Sequence, residues 1–315
     1  MTASVFIDGE AGTTGLRIHA RLVGRADMRL TRIDPARRKD PAARSERLNA
    51  ADIVILCLPD DAAREAVSLI ESPSVKVIDA STAYRTAPGW TYGFPELRPG
   101  QREAISSASR VSNPGCYPTG FLALVAPLIR QDLLPANWPV TVNAVSGYSG
   151  GGRAMIAQFE DPAAPDYTTA AYRPYATALN HKHSPEMQAH AGLELRPLFA
   201  PAVARYAQGM IVEVPLQLAA IPGRPRIGDI HAALAAAYQG EPFVEVASLE
   251  TARATGALDP EALNDTNRMI LYVFGSDDLR QARLVALLDN LGKGAAGAAV
   301  QNLNLMLGLE ETTGL

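Results

Sequence analysis

From the N-terminus, the chain opens on a short apolar run, Val5-Phe6-Ile7-Asp8, that stops at Gly9. Apolar positions then recur at helical spacing from Thr14 to Leu22, and Met28 to Ile33 fits a second strand. Asp52 through Leu58 is an almost continuous apolar run ending in Pro59, the pattern of a parallel strand covered on both faces, with Cys57 buried inside it. Asp61 to Ile70 reads as a helix and Val75 to Asp79 as the next strand. Strand and helix alternate through roughly the first 110 residues, which predicts an α/β fold with a Rossmann-type doubly wound parallel sheet.

The rhythm changes in the second half. Val140–Ser146, Met210–Leu216 and Met269–Phe274 read as strands, and Asp229–Tyr238 and Ala282–Leu291 as helices. Longer strands with fewer helices between them predict a second domain of α+β class. The tail, Gly297 to Leu309, reads as an apolar helix that packs back on the first domain. The expected division is a dinucleotide-binding domain over residues 1–115, joined by a C-terminal helix at about 295–315, and a catalytic domain over 116–294. The chain has no internal repeat, and the Ala-rich stretch Ala232–Ala237 is helix-forming.

Composition narrows the function classes. The formal net charge is -4, which argues against a nucleic-acid or membrane-surface protein. Two cysteines, with no basic and apolar leader ahead of the first strand, read as thiols in a cytoplasmic protein.

Gly9-Glu10-Ala11-Gly12-Thr13-Thr14-Gly15 follows the first strand directly. Glycines there allow a tight turn and close approach of the backbone to a pyrophosphate. The next helix aims its N-terminal N–H groups at the anion. The spacing is G-x-x-G-x-x-G, so the signal comes from its position more than its pattern. At the end of the second strand two cues compete. Asp34 suits the ribose hydroxyl of NAD, whereas Arg32, Arg37 and Arg38 suit a 2′-phosphate. Three arginines outweigh one carboxylate near a dianion, and NADP(H) is the expected cofactor.

Ser112-Asn113-Pro114-Gly115-Cys116-Tyr117-Pro118-Thr119 carries the sharpest chemistry. Pro114-Gly115 turns the chain, and apolar periodicity begins with Phe121, Leu122, Leu124 and Val125. Pro118 fits a first helical turn. Cys116 is therefore expected at a helix N-terminus, where the dipole and free N–H groups favour a nucleophilic thiolate.

Among five histidines, His181 and His183 stand out in Asn180-His181-Lys182-His183-Ser184-Pro185-Glu186. Ser184 and Pro185 suit a helix cap and first position, and Glu186, three residues after His183, is placed to orient its imidazole. The His-x-His pair also invites a metal reading, but no second Cys/His cluster supplies the other ligands, and no metal is expected.

Taken together, these segments resemble the N-acetyl-gamma-glutamyl-phosphate reductases of arginine biosynthesis, in their shorter bacterial variant. The glycine loop, Asp79–Arg85, Ser112–Thr119, Ser146–Arg153, His181–Glu186 and Asp289–Asn302 all match in order along nearly the whole chain. Aspartate-semialdehyde dehydrogenase and glyceraldehyde-3-phosphate dehydrogenase are more distant relatives. The resemblance implies NADPH-dependent reduction of N-acetyl-glutamyl phosphate to the semialdehyde, with release of inorganic phosphate, by a homodimer or homotetramer. It implies that Cys116 is the nucleophile and His183 the acid/base with Glu186 beside it, His181 being the alternative. Gly9, Gly12, Thr13, Thr14, Gly15, Ser81, Asn302 and Asn304 would hold the cofactor; Asn113, Ser146 and Gly147 would line the substrate. Arg85 and Arg153 are candidates for its phosphate and carboxylate. The chain departs from longer relatives at Gly151-Gly152-Arg153 and at Pro59-Asp60-Asp61. Competing readings are an aspartate-semialdehyde-type reductase, an NADP-sensing regulator without turnover, and a cysteine hydrolase.

Overall fold

The computed structural model describes residues 2–38 and 40–315; Met1 and Lys39, the latter in the basic run after Arg37 and Arg38, lie outside the described residues. The chain divides into two compact units, one of Met1–Pro95, Gly100–Gly115 and Ala295–Leu315, the other of Glu96–Pro99 and Cys116–Gly294.

The first unit begins β1 (Ala3–Asp8), α1 (Thr13–Leu22), β2 (Met28–Thr31), α2 (Pro41–Ala50), β3 (Ile53–Leu56), α3 (Asp60–Ser68), β4 (Lys76–Asp79), β5 (Thr91–Tyr92), α4 (Gln101–Ser107) and β6 (Arg110–Ser112). The strands form one sheet in the order β2-β1-β3-β4-β6-β5, all parallel. Alternation along each strand sorts its residues to two cores. Val5, Ile7, Ile53 and Ile55 join α1's Ile18 and Leu22 on one face, while Phe6, Val54 and Leu56 join Leu48, Ala63 and Ala66 on the other. The chain starts mid-sheet, builds β2 to one side of β1 and β3 to the other, so strand order reverses at the β1–β3 crevice. Crevices of this kind, at the carboxyl ends of the strands, bind ligands in doubly wound sheets. β2 stops at Thr31, so Ile33 belongs to the following turn, where Asp34 Oδ1 accepts from the Ala36 N–H. Cys57 lies one residue beyond β3 and not inside a strand.

The second unit runs α5 (Cys116–Arg130), β7 (Thr141–Gly147), α6 (Gly152–Glu160), β8 (Tyr172–Pro174), α7 (Ser184–Ala191), β9 (Leu198–Ala204), β10 (Met210–Gln217), α8 (Ile227–Ala237), β11 (Val244–Val246), α9 (Leu249–Ala254), β12 (Met269–Ser276) and β13 (Gln281–Leu288). Its sheet is mixed, in the order β11-β12-β13-β10-β7-β9-β8. The expected helix at Ala282–Leu291 is a correction: β13 is a central strand, paired antiparallel to β10 and β12 along its whole length. Ala and Leu favour helix by intrinsic propensity, but a position between two long strands overrides it. Exposed Gln281 and Arg283 alternate with buried Ala282 and Leu284, which is a strand period. After a π-type turn at Gly292–Ala296 the chain re-enters the first unit as α10 (Gly297–Leu307), which packs on α1 and α4. No helix of the described residues is long and apolar enough to cross a membrane.

Candidate active site

In the first unit the glycine loop sits at the strand-order reversal. Gly9 has φ +88°, and a Cβ there would stand 2.3 Å from the Cys57 carbonyl oxygen. A Cβ on Gly15 would stand 2.5 Å from the Gly9 carbonyl oxygen, while the Gly12 N–H closes the turn onto that oxygen at 2.9 Å. Gly9 and Gly15 are thus required by close backbone approaches, while a Cβ on Gly12 would stand 3.3 Å from the Gly9 carbonyl oxygen. Gly12 precedes α1, no side chain caps the helix, and its first turn carries no carboxylate. Free N–H donors, a positive dipole end and a glycine-walled cradle fit a dinucleotide pyrophosphate.

The basic residues around this loop are already engaged to different degrees. Arg32 pairs with Glu10 at 2.8 Å and lies against His19. Arg37 pairs with Asp40, the cap of α2, at 3.0 Å. Arg38 is exposed. A fourth arginine, missed in the sequence, lies inside: Arg44 reaches Asp8 at 2.9 Å and Glu65 at 3.2 Å, and these hydrogen bonds outweigh burial and raise its pKa.

Ser81 donates to Asp79 Oδ2 at 2.7 Å and accepts the Ala83 N–H, closing the turn after β4. Burial pushes the Asp79 carboxyl above the usual range, against the Ser81 hydrogen bonds that lower it. Arg85 is buried and donates to the carbonyls of Asn113 and Ala80 at 3.0 and 3.2 Å, so part of its guanidinium braces the backbone. Asn302 is wholly buried and donates to Gly93 O and to Asn113 Oδ1. Its own Oδ1 has no hydrogen-bond partner, an acceptor that a carboxamide would satisfy. Asn304 is committed elsewhere, donating to the Glu311 and Thr313 carbonyls and accepting from Arg25.

In the second unit Cys116 is the first residue of α5, and Tyr117 through Leu128 are buried in an unbroken run. Gly120 lets the helix approach the sheet: a Cβ would meet the Val212 side chain at 2.9 Å and Ala286 at 3.3 Å. Pro127 removes the helical N–H that would bond the Ala123 carbonyl, and the Tyr238 hydroxyl donates to that oxygen at 2.9 Å. Gly294 crosses close to the nucleophile candidate, since a Cβ on it would lie 2.8 Å from Cys116 Cβ. Cys57, by contrast, is a half-buried residue whose thiol is pushed up to about 12 by desolvation, beside Asp79 and Asp8.

His181 and His183 stand with ring centroids 4.7 Å apart, in one aromatic cluster with Tyr117, Tyr175 and Phe199. His183 and Glu186 are buried at the start of α7. The cap is displaced by one residue from the sequence expectation: His183 is the N-cap, Ser184 is the first helical residue, and the Ser184 hydroxyl makes no hydrogen bond. Ser146 is buried near the end of β7 and lies beside the Tyr117 hydroxyl. Gly147 fits where a Cβ would meet the Ala207 backbone at 2.6 Å. Arg153, in the first turn of α6, is exposed.

Sequence reading missed the scaffold of this unit. Asp289 accepts from Gln208, Asp265 N–H and Leu291 N–H, and Asn290 ties Gly209 N–H to Ser149. Lys293 reaches Glu96 at 2.7 Å with both side chains buried. The Asp289–Lys293 run was visible as a motif, but its partners lie far away in sequence.

This fold and site define a class. Residues 12–108 match the family model described as the semialdehyde dehydrogenase NAD binding domain, and residues 116–290 match the semialdehyde dehydrogenase dimerisation domain. Among solved structures, aspartate semialdehyde dehydrogenase II from Vibrio cholerae superposes with TM-score 0.72 at 15% identity, over 98% of this chain and 99% of that one. The aspartate semialdehyde dehydrogenase with NADP from Candida albicans gives 0.65 at 15% identity, over 97% and 98%. N-acetyl-gamma-glutamyl-phosphate reductase of Trichormus variabilis is 55% identical over 99% of this chain and 98% of its own. A second such reductase, from Pseudomonas putida, is 53% identical over 99% of both chains. The chain belongs to the semialdehyde dehydrogenase family, among its N-acetyl-gamma-glutamyl-phosphate reductases.

Proposed function

We propose that this protein reduces N-acetyl-gamma-glutamyl phosphate to the semialdehyde with NADPH, releasing phosphate, through a thioester on Cys116, in arginine biosynthesis. The substrate rests on the names of relatives alike over the full length. The chemistry rests on one observation above the others: Cys116 opens α5, the position at which a helix favours a thiolate. The Cys116 sulfur forms a bond to the acyl carbon, and the acyl–oxygen bond breaks with its electron pair leaving on phosphate. When bound in the glycine loop, the reduced dinucleotide supplies the hydride that takes the thioester to the aldehyde level. Collapse then returns the carbon–sulfur electron pair to Cys116. N–H groups at the start of α5 steady the oxyanion, and His183, oriented by Glu186, exchanges its proton. Arg153 holds a substrate anion, and Arg32, Arg37 and Arg38 favour the 2′-phosphate of NADP. The protein works in the cytoplasm as a homo-oligomer, a reading supported by the dimerisation-domain description of the model matching residues 116–290.

The test is run in reverse. Wild type and Cys116→Ala receive N-acetyl-glutamate semialdehyde, phosphate and NADP, and absorbance of NADPH is followed. Phosphate-dependent signal from wild type alone is the expected result. Turnover by Cys116→Ala refutes the thioester route, and activity only with aspartate semialdehyde refutes the substrate.

A further inference from the structure

The two histidines flanking Lys182 differ in what their rings can do. The His183 N–H donates to His181 Nδ1 at 3.1 Å. A backbone N–H can only donate, so that ring nitrogen carries no proton, and the single proton of the neutral ring sits on Nε2. His181 Nε2 faces the Tyr175 hydroxyl at 3.4 Å, Tyr175 donates to the Tyr117 hydroxyl at 3.3 Å, and Tyr117 donates to the Ala202 carbonyl in β9 at 3.2 Å. A backbone carbonyl can only accept. The relay therefore runs between two ends of fixed polarity, and the direction that satisfies both ends passes from His181 Nε2 through Tyr175 and Tyr117 to the Ala202 carbonyl, with Ser146 also beside the Tyr117 hydroxyl.

We propose that His181 is a positioning residue, locked as the neutral Nε2–H tautomer by the Tyr175–Tyr117–Ala202 relay, whose ring clamps the His183 backbone at the head of α7. The proposal deepens the functional reading and rests on it in one respect: it leaves His183 as the imidazole that exchanges protons with substrate. Protonating His181 would set a ring N–H against the His183 N–H and lose the clamp. Tyr175, Tyr117, His183 and Phe199 face the ring, with Cys116 adjoining both tyrosines. Both phenols keep their protons, since burial, with the Cys116 charge, pushes Tyr175 up to about 12 and pushes Tyr117 well above the usual phenol range. The loop is built to hold this arrangement. The Tyr175 N–H is bonded to Pro201 O in β9, and Ala176 and Leu179 take φ of +52° and +58°, values L side chains keep only where surrounding contacts require them.

The test is nitrogen-15 NMR of the whole protein labelled at histidine, with the His181 signals assigned through His181→Asn. The expected result is an Nε2–H pattern for His181 that does not titrate between about pH 6 and 8, and that begins to titrate in Tyr175→Phe. In kinetics, Asn at 181 keeps an acceptor for the His183 N–H, so His181→Asn is expected to retain at least about a tenth of kcat with the acid limb of the pH profile unmoved. His183→Asn is expected to lose about 100-fold or more. Titration of His181 in wild type, or an Nδ1–H pattern, overturns the proposal, as does a loss in His181→Asn equal to that in His183→Asn. The spectra need no turnover, so an enzyme inactive on the semialdehyde sinks the functional reading while leaving the tautomer assignment standing.

Discussion

Lys293→Met isolates one buried charge. Lys293 Nζ stands 2.7 Å from Glu96 Oε1, the side chains are 1% and 0% exposed, and the ammonium lies 5.5 Å from the Phe243 ring centroid. At that separation and an effective dielectric near 20, Coulomb attraction is about 6 kcal/mol, much of it offset by the several kcal/mol needed to desolvate each ion. The net worth of the pair is therefore small, but methionine keeps the stem and deletes only the cation, leaving the carboxylate inside without that compensation. Breaking a buried pair from one side costs about 3–5 kcal/mol, a large share of a typical folding stability. The expected fall in Tm is about 10 °C, with Glu96→Gln/Lys293→Met recovering most of it, because both charges are then gone. The pH sense is fixed as well. The stranded carboxyl takes up a proton in the folded protein more readily than in the unfolded chain, so the deficit of Lys293→Met shrinks as pH falls from about 8 to 5. Thermal and denaturant unfolding of the two single variants and the double variant measures the coupling. A single-variant loss below about 1 kcal/mol, or additive losses in the double, would refute the reasoning.

Two further outcomes test the first unit. Gly15→Ala drives a Cβ to 2.5 Å from the Gly9 carbonyl oxygen, against backbone on which the turn depends; NADPH affinity by calorimetry is expected to fall at least about tenfold, and unchanged affinity would remove the loop from the cofactor site. Asp79→Asn addresses a carboxyl whose folded pKa is raised by burial. A raised carboxyl contributes stability below its unfolded pKa, near 3.9, and loses it as pH rises through the folded value. The Asn variant should therefore gain on wild type in thermal melts as pH rises above the unfolded carboxyl value near 3.9, and a constant or opposite difference would contradict the assignment.

The doubly wound sheet was legible because its information is local. β3 reads as a buried strand from Ile53–Leu56 alone, and the glycine loop declares itself by following β1. β13 was not legible, since Ala282, Leu284, Ala286 and Leu287 suit a helix until β10 and β12 are known to flank them. The same divide runs through the candidate site. Cys116 and the His181–Glu186 cluster follow from neighbours within a few residues. Glu96 meets Lys293 across 197 positions and Tyr175 meets Tyr117 across 58, distances at which spacing carries no signal.

The long-range contacts of the second unit commit several of its polar side chains to holding backbone. Asp289 and Asn290 spend their side chains on the backbone of Asp265, Leu291 and Gly209, and Tyr238 repairs the bond lost at Pro127. His181 accepts a backbone N–H in the same way. A group bonded to backbone on its reactive atom cannot also serve substrate without releasing the structure it supports, and in a low-dielectric interior that release is costly. Residue type is therefore a poor guide to role here. Two histidines two positions apart are equivalent in sequence, yet one ring accepts the backbone N–H of the other, and that single bond is the observation on which the proposed positioning role of His181 rests.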